Sequence, residues 1–187
     1  PIVVSRPDAC VVSLAAGRTL DQITTDFGAG IPLVRVMPNV AATVGQSMTA
    51  LTATRATDAQ VAAVRSLMDS VGRTILIDED YFPVFQALAS CSPAWYFQII
   101  DTFARAGLKY GLSKDSAVEI AAQAMAGAAA LLLAEREAGT IPAQLIDRVT
   151  SPGGTTIAGL LAAEEGGLSN ALVGAVDASI HADSHLG

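Results

Sequence analysis

The residues best suited to chemistry lie in one short turn, VTSPGGTTIAGL at positions 149–160. Its adjacent glycines let the backbone take positive φ and leave N–H groups uncovered, and the helix start behind them adds partial positive charge. Such a turn suits a carboxylate or a phosphate. Hydroxyls that donate as well as accept come from Thr150, Ser151, Thr155 and Thr156. The turn predicts an anion site, although an ordinary loop with a threonine N-cap would carry the same residues.

Other common site chemistries lack the residues they need. No lysine follows the glycines, which excludes a P-loop. The only histidines, His181 and His185, lie in the last seven residues and are typical of a solvated tail, so a Ser-His-Asp hydrolase lacks its base. No Cys/His/Asp cluster has the spacing of metal ligands, and we expect no metal. The reactive group of an enzyme would then come from a cofactor.

Composition narrows the class of partner. The chain is 51% apolar and 16% charged, and its net charge is −7, so we expect no nucleic acid and no anionic membrane surface as a partner. Cys10 and Cys91 lie far apart, which favours free thiols and a reducing, cytoplasmic location. The longest apolar run, Ala124–Ala134, is shorter than the roughly 20 residues of a membrane span and predicts a buried helix.

Strands and helices alternate up to about residue 80, which predicts part of an α/β sheet. A T-x-x-Q capping box at Thr57 begins one helix, and Gly72 is expected to close it as a C′ glycine. The other predicted helix of this part is Leu20–Phe27. The predicted strands are Cys10–Leu14, Pro32–Met37, Met48–Thr52 and Thr74–Asp78.

Only helical patterning follows, so we predict an α/β domain over 1–80 and an all-helical domain over 81–187. The second half of the helix Lys114–Ala138 is apolar all round and must be covered on every side. Interleaved helices of a homodimer would cover it; the alternative is a helix through the centre of one bundle. The other predicted helical segments are Phe82–Gly107, Pro142–Arg148, Thr155–Glu165 and Leu168–Ala182.

Four segments, in order, resemble one family. VRVMPNVAATVGQSMTAL at 34–51 is similar to the V-R-x-M-P-N-x-P-x-x-V-G-x-G segment of pyrroline-5-carboxylate reductases. CVVSLAAG at 10–17 matches the strand and A-A-G turn upstream of it. The turn and helix at 106–132 resemble the family's long interfacial helix, and RVTSPGGTTIAGLLAAEEGG at 148–167 resembles its substrate loop. The resemblance covers essentially the whole chain.

This resemblance implies a fold and a reaction. The family reduces the C=N bond of 1-pyrroline-5-carboxylate to L-proline with hydride from NADPH or NADH, an oxidoreductase step of proline biosynthesis. Its members have an N-terminal Rossmann domain and a helical domain that dimerises by interlocking, and some assemble into decamers. The chain is therefore expected to be a partial Rossmann-type domain plus a helical dimerisation domain.

The resemblance also assigns residues to roles. The substrate carboxylate would be held by backbone N–H groups around Gly153, Gly154 and Thr155, beside Ser151, with the Thr156 hydroxyl near the ring nitrogen as the catalytic group. Asn39 would face the nicotinamide end of the cofactor. The remaining cofactor wall would be Met37, Pro38 and the Ala15-Ala16-Gly17 turn, and Ser92 and Pro93 would complete the substrate pocket.

Two segments depart from the family pattern. No G-x-G-x-x-G turn occurs, since in Gly28-Ala29-Gly30 the third glycine is replaced by Leu33 and a strand follows. We therefore expect a fragment or a shortened protein that binds NADPH poorly by itself. The family's S-G-S-G-P-A-Y appears as ASCSPAW at 89–95, with Cys91 a similar-sized replacement of serine. This departure leaves open a reductase for a related cyclic imine or a non-catalytic dimeric helical module.

Overall fold

The computed structural model describes residues 9–28 and 30–183. Two residues named in the sequence analysis lie outside these ranges, Ala29 (between Gly28 and Gly30) and His185. The described residues form two compact units. We call residues 9–93 with 175–183 the sheet unit and residues 94–174 the helical unit. The domain boundary expected near residue 80 stays a prediction.

The sheet unit is built on four strands in the order β1-β2-β3-β4. The first two strands are parallel, β2 and β3 are antiparallel, and β3 and β4 are parallel. All four predicted strands are present, each displaced by at most two residues at its ends. Their bounds are β1 Val11–Ser13, β2 Leu33–Met37, β3 Ser47–Thr54 and β4 Gly72–Leu76.

Both faces of the central strand β2 are covered, because all five of its residues are buried. Side chains alternate across a strand, so Val34 and Val36 pack with Leu51 and Val64 on one face. Met37 packs with Ala50 and Phe82 on the other. Burying a large side chain of this kind stabilises a fold by about 1.5–3 kcal/mol, and these two clusters fix the strand that carries the Met37-Pro38-Asn39 turn.

Two capped helices accompany the sheet, α1 Leu20–Phe27 and α2 Asp58–Asp69. Each begins with a threonine capping box, and the one predicted at Thr57 is confirmed. The prediction that Gly72 closes α2 is wrong. The helix ends at Asp69 and Gly72 is the first residue of β4, where its φ is +156° and a Cβ would lie 2.1 Å from the Ser47 carbonyl oxygen. Glycine is required there by the close approach of two strands.

The remaining helices follow the predicted positions closely. Within the predicted helical stretch 82–107, a π-helix at Gln86–Cys91 separates α3 from α4. Ser113 caps α5, and Gly139 follows its last turn with φ +80°. The helices are α3 Phe82–Phe85, α4 Ser92–Lys109, α5 Lys114–Glu135, α6 Pro142–Val149, α7 Thr155–Glu165 and α8 Leu168–Asp183.

The long helix α5 is not covered by the described residues of its own chain. It therefore does not run through the centre of a single-chain bundle, which was the alternative to a homodimer. Its buried residue is Ala117, while Ile120, Leu131 and Leu133 are between 44% and 57% exposed. By length and composition, Lys114–Ala138 would pass for a membrane span, with a mean hydropathy of 1.7 over its most apolar window, 6% of which is buried. The eleven-residue run therefore understates the apolar length of this helix, and some other surface must cover it.

Candidate functional site

The turn at 151–154, predicted to bind an anion, is closed by a backbone hydrogen bond and contains one glycine with positive φ. Gly153 has φ +68°, a conformation that favours glycine. The Gly154 N–H donates to the Ser151 carbonyl at 3.0 Å, and a Cβ on Gly154 would lie 2.4 Å from the Ser151 hydroxyl oxygen. The positive φ favours glycine at position 153, whereas at position 154 an added Cβ would require the Ser151 side chain to move.

Directly behind this turn, α7 begins without a side-chain cap. Its N-cap residue is Gly154, and within the described part of the chain no side-chain capping bond is made at this helix start. The N–H groups of Thr155, Thr156 and Ile157 are therefore left for an external acceptor. Three such donors at the positive end of an eleven-residue helix can bind a carboxylate or a phosphate.

The hydroxyls around the turn differ in what they contact. Thr150 donates to the carbonyl of Ile146 at 2.9 Å and so finishes α6. Thr155 and Thr156, the first two residues of α7, are exposed. The hydroxyl that the resemblance assigns to catalysis, on Thr156, therefore lies at the helix start beside the free N–H groups.

In the sheet unit, a cavity of about 330 Å³ lies beside the predicted cofactor wall. It brings together Ala16 of the A-A-G turn with Met37 and Pro38 of the M-P-N turn, which the resemblance assigns to the cofactor. The π-helix supplies the opposite lining. The lining residues are Leu14, Ala16, Met37, Pro38, Gln86, Ser90 and Cys91. Mostly apolar walls with a few polar groups suit one face of a flat heterocyclic ring.

Asn39 holds this wall with both ends of its amide. Its Nδ2 donates to the Ala89 carbonyl at 2.8 Å, and its Oδ1 accepts from the Ala41 N–H at 3.2 Å. The first bond ties the M-P-N turn to the π-helix across 50 positions of sequence. The predicted cofactor residue thus has a second task, which is to keep the two sides of the cavity together.

A partly buried ion pair joins the elements that carry the wall. Arg35 is 6% exposed and donates to Glu79 Oε1 at 2.7 Å, and its guanidinium lies 4.3 Å from the centre of the Phe82 ring. The same Glu79 oxygen accepts the Leu20 N–H at 2.7 Å. Glu79 therefore links β2 to the start of α1, just after Gly17. Arg35, Glu79 and Gly17 also line a second, more polar cavity of about 560 Å³.

The predicted pocket residues Ser92 and Pro93 open α4. Ser92 is 3% exposed, and its hydroxyl donates to the Leu88 carbonyl at 2.6 Å, so it is engaged inside the helix. Sequence reasoning missed Gln86 and Ser90 as lining residues. Gln86 donates to Asp183 at 2.9 Å. The signal for Ser90 was present in the altered ASCSPAW segment, whereas nothing local marks Gln86.

The two thiols and the side chains able to hold a metal ion complete the description of the site. Cys10 and Cys91 are free and partly buried, and burial raises the pKa of the Cys10 thiol. Among the residues that the structure describes, no three His, Cys, Asp or Glu side chains form a group able to hold a metal ion. The expectation of a metal-free site stays a prediction.

Comparison with known proteins agrees with the resemblance. Residues 79–186 match the family described as pyrroline-5-carboxylate reductase dimerisation. The pyrroline-5-carboxylate reductase of Mycobacterium leprae is 37% identical in an alignment that covers 90% of this chain and 63% of that protein. The chain thus spans somewhat less than two thirds of this relative's length.

Two solved structures show the same architecture. The 1-pyrroline-5-carboxylate reductase of Streptococcus pyogenes is 40% identical with a TM-score of 0.85, covering 94% of this chain and 67% of its own. The Plasmodium falciparum pyrroline carboxylate reductase, solved with NADP bound, is 24% identical with a TM-score of 0.87 and covers 100% of this chain and 74% of its own. The predicted fold class, α/β followed by all-α with a partial Rossmann-type sheet, is confirmed.

Proposed function

The chain belongs to the pyrroline-5-carboxylate reductase family, and from that premise we propose that it is the substrate-binding and dimerising part of an NAD(P)H-dependent oxidoreductase. The reaction is the reduction of the C=N bond of 1-pyrroline-5-carboxylate to L-proline, in proline biosynthesis. The observation that carries the proposal is the uncapped start of α7 behind Ser151-Pro152-Gly153-Gly154.

The substrate carboxylate is assigned to this helix start. The free N–H groups of Thr155 and Thr156, next to Gly153 with its positive φ, provide the hydrogen-bond donors. Binding through backbone donors fixes the orientation of the carboxylate and so holds the ring in one position. A carboxylate held by backbone hydrogen bonds in this way suits a small anionic substrate.

Thr156 is assigned to the ring nitrogen of the substrate. Its exposed hydroxyl can donate a hydrogen bond to the imine nitrogen and so favour the charge that develops there. A positioned proton donor of this kind contributes roughly a hundredfold or more to a rate.

The dinucleotide is assigned to the wall formed by the A-A-G and M-P-N turns. When bound, NADPH or NADH supplies the hydride. Leu14, Met37 and Pro38 offer apolar surface to the nicotinamide ring, and Asn39 keeps the M-P-N turn against the π-helix. Binding of NADP by the Plasmodium protein of the same fold supports this choice of cofactor.

A second copy of the chain is assigned to the apolar surface of α5. The exposed large side chains on α4 and α5, together with the match of 79–186 to a dimerisation family, support a homodimer in preference to lipid as the cover. The proposal extends to the assembly of such dimers into a higher oligomer. A cytoplasmic location is supported by the free thiols Cys10 and Cys91.

The test is hydride transfer by the complete protein encoded by the gene. With 1-pyrroline-5-carboxylate and NADPH or NADH, we expect proline to form, and Thr156→Ala to lower kcat roughly a hundredfold. Thr156→Ser, which keeps the hydroxyl, should retain most of the rate.

The matched control is Thr102→Ala, since Thr102 is exposed and donates only to its own helix, at Gln98. A folded, dimeric protein without any imine reduction would favour the non-catalytic module. Activity that survives in Thr156→Ala would show that the role given to Thr156 is wrong.

A further inference from the structure

One hydroxyl in the cavity of the sheet unit has no hydrogen-bond partner. Ser90 lines the cavity next to Met37 and Pro38, and its Oγ is buried without a partner among the described residues. A buried polar group left unpaired destabilises the folded state, so native proteins carry few of them. This exception lies on the wall assigned to the cofactor.

Ser92, two residues on, shows how a serine of this segment is ordinarily satisfied. Its hydroxyl donates to the carbonyl of Leu88, four residues earlier, at 2.6 Å. Ser90 makes no equivalent bond to the carbonyl of Gln86. Local helix geometry therefore offers a partner to a serine here, and Ser90 is left without one.

The backbone around Ser90 is held in place by a tertiary contact. Residues Gln86–Cys91 form a π-helix, a rare conformation that concentrates at functional sites. The carbonyl of Ala89 accepts from Asn39 Nδ2 at 2.8 Å, which anchors the residue before Ser90 to the M-P-N turn. Ser90 is thus positioned by the same contact that closes the cofactor wall.

We propose that Ser90 is a specificity-determining residue that hydrogen-bonds the carboxamide of the nicotinamide ring. The inference rests on the proposed function, since it takes NADPH or NADH as the occupant of the cavity. A serine hydroxyl has three staggered positions, and rotation from the buried one turns it toward the cavity that Ser90 lines. There it can donate to the carboxamide oxygen or accept from its nitrogen, and the ligand supplies the partner that the protein lacks.

The first test separates the two ends of the cofactor. In the complete protein, Ser90→Ala should raise the Kd of the preferred dinucleotide about three- to tenfold, as expected for one neutral hydrogen bond. ADP-ribose, or its 2′-phosphate if NADPH is preferred, lacks the nicotinamide and should bind the wild type and Ser90→Ala equally. Isothermal titration calorimetry measures both ligands. The control is Ser70→Ala. Ser70 follows the last residue of α2, away from the cavity lining, and its exposed hydroxyl donates to the Leu67 carbonyl of that helix.

The second test is the stability of the ligand-free protein. Ser90→Ala should weaken dinucleotide binding but increase this stability. Removing an unpaired buried hydroxyl should raise Tm by about 2–4 °C in Ser90→Ala, and alanine is the better helix former. A weaker dinucleotide with a higher Tm would support the proposal. Equal loss for ADP-ribose, an unchanged Kd, or a lower Tm would overturn it. A wild type that binds neither dinucleotide overturns the proposed function as well, which distinguishes the two failures.

Discussion

The sheet unit and the helical unit bury their apolar residues to very different extents. In the sheet unit, Val34, Leu51 and Phe82 are at most 1% exposed. In the helical unit, the buried hydrophobic residues among those the structure describes are two alanines, Ala104 and Ala117, while Phe97 and Phe103 are more than 60% exposed. The sheet unit therefore has a core made by its own chain. The helical unit presents one half of a core, and the proposed dimer supplies the other half.

The largest expected effect tests whether a second copy of the chain covers the apolar surface of the helical unit. In Leu131→Asp, a charge would be placed on the apolar surface of α5, where burying it without a partner costs about 3 kcal/mol or more. A twofold interface carries the substitution twice, so we expect dissociation and loss of cooperative unfolding in the helical unit. Sedimentation velocity measures the first effect and circular dichroism the second.

Glu119→Gln changes a charge on the same helix without entering the apolar run and should leave the dimer intact. If Leu131→Asp remains a stable dimer, α5 is covered by something other than a second copy.

The next effect compares two phenylalanines. Phe82→Ala should cost about 3–5 kcal/mol, because it opens a cavity in the core of the sheet unit and removes the ring beneath Arg35. This loss should be independent of protein concentration. Phe103→Ala should instead lower Tm only where dimers are populated, since the Phe103 ring is 63% exposed in the single chain. Thermal unfolding at two widely separated protein concentrations distinguishes the two variants. If the loss of Tm depended equally on concentration in both, the proposed difference between the two units would be wrong.

A smaller effect concerns the contact between β3 and β4. Gly72→Ala should destabilise by about 2–3 kcal/mol, since the new Cβ would collide with the Ser47 backbone. Gly45→Ala is the matched control, because Gly45 has φ +70° but open space around it and should cost only about 1 kcal/mol of backbone strain. Denaturant titration measures both. Equal losses would show that the conformation, and not the collision, requires glycine at position 72.

The smallest effect lies in the helical unit. Asp101 accepts from Arg105 and Lys114, and these bonds hold the pKa of its carboxyl below the ordinary value. A lowered folded pKa stabilises the protein above the ordinary carboxyl pKa of about 4, and that contribution is lost as pH falls through the folded value. In Asp101→Asn, Tm should fall by at most about 2 °C at neutral pH, with no difference from wild type at the acid end. A difference that persists in acid would contradict the assignment.

Sequence predicted the elements well because their signals are local. The Thr57 capping box, the mostly apolar run of β2 and the Ser113 cap each act within a few residues, and α1 and α7 have the predicted bounds. The turn before α7 was also readable, since Gly153 and Gly154 mark it directly, while its role as an anion site stays a prediction.

The misses concern residues that are far apart in sequence. Glu79 meets Arg35 across 44 positions, and Gly72 is required by Ser47 of a neighbouring strand. Local propensity carries no information on such contacts. The cavity around Ser90 likewise depends on how the A-A-G turn, the M-P-N turn and the π-helix come together. The assigned roles of Thr156, Asn39 and the other site residues remain predictions.

The π-helix also makes the lining of the cavity depend on the number of residues in one segment, Gln86–Cys91. Each π-turn holds one residue more than an α-turn, and each residue of an α-helix turns the chain by about 100°. Deleting a single residue within Gln86–Cys91 would let an uninterrupted α-helix form and rotate α3 by that angle about the helix axis relative to Ser92 and Pro93. Composition would hardly change, yet Gln86 would turn away from its neighbours. Residue number within this turn, as much as residue type, sets which side chains meet the cavity.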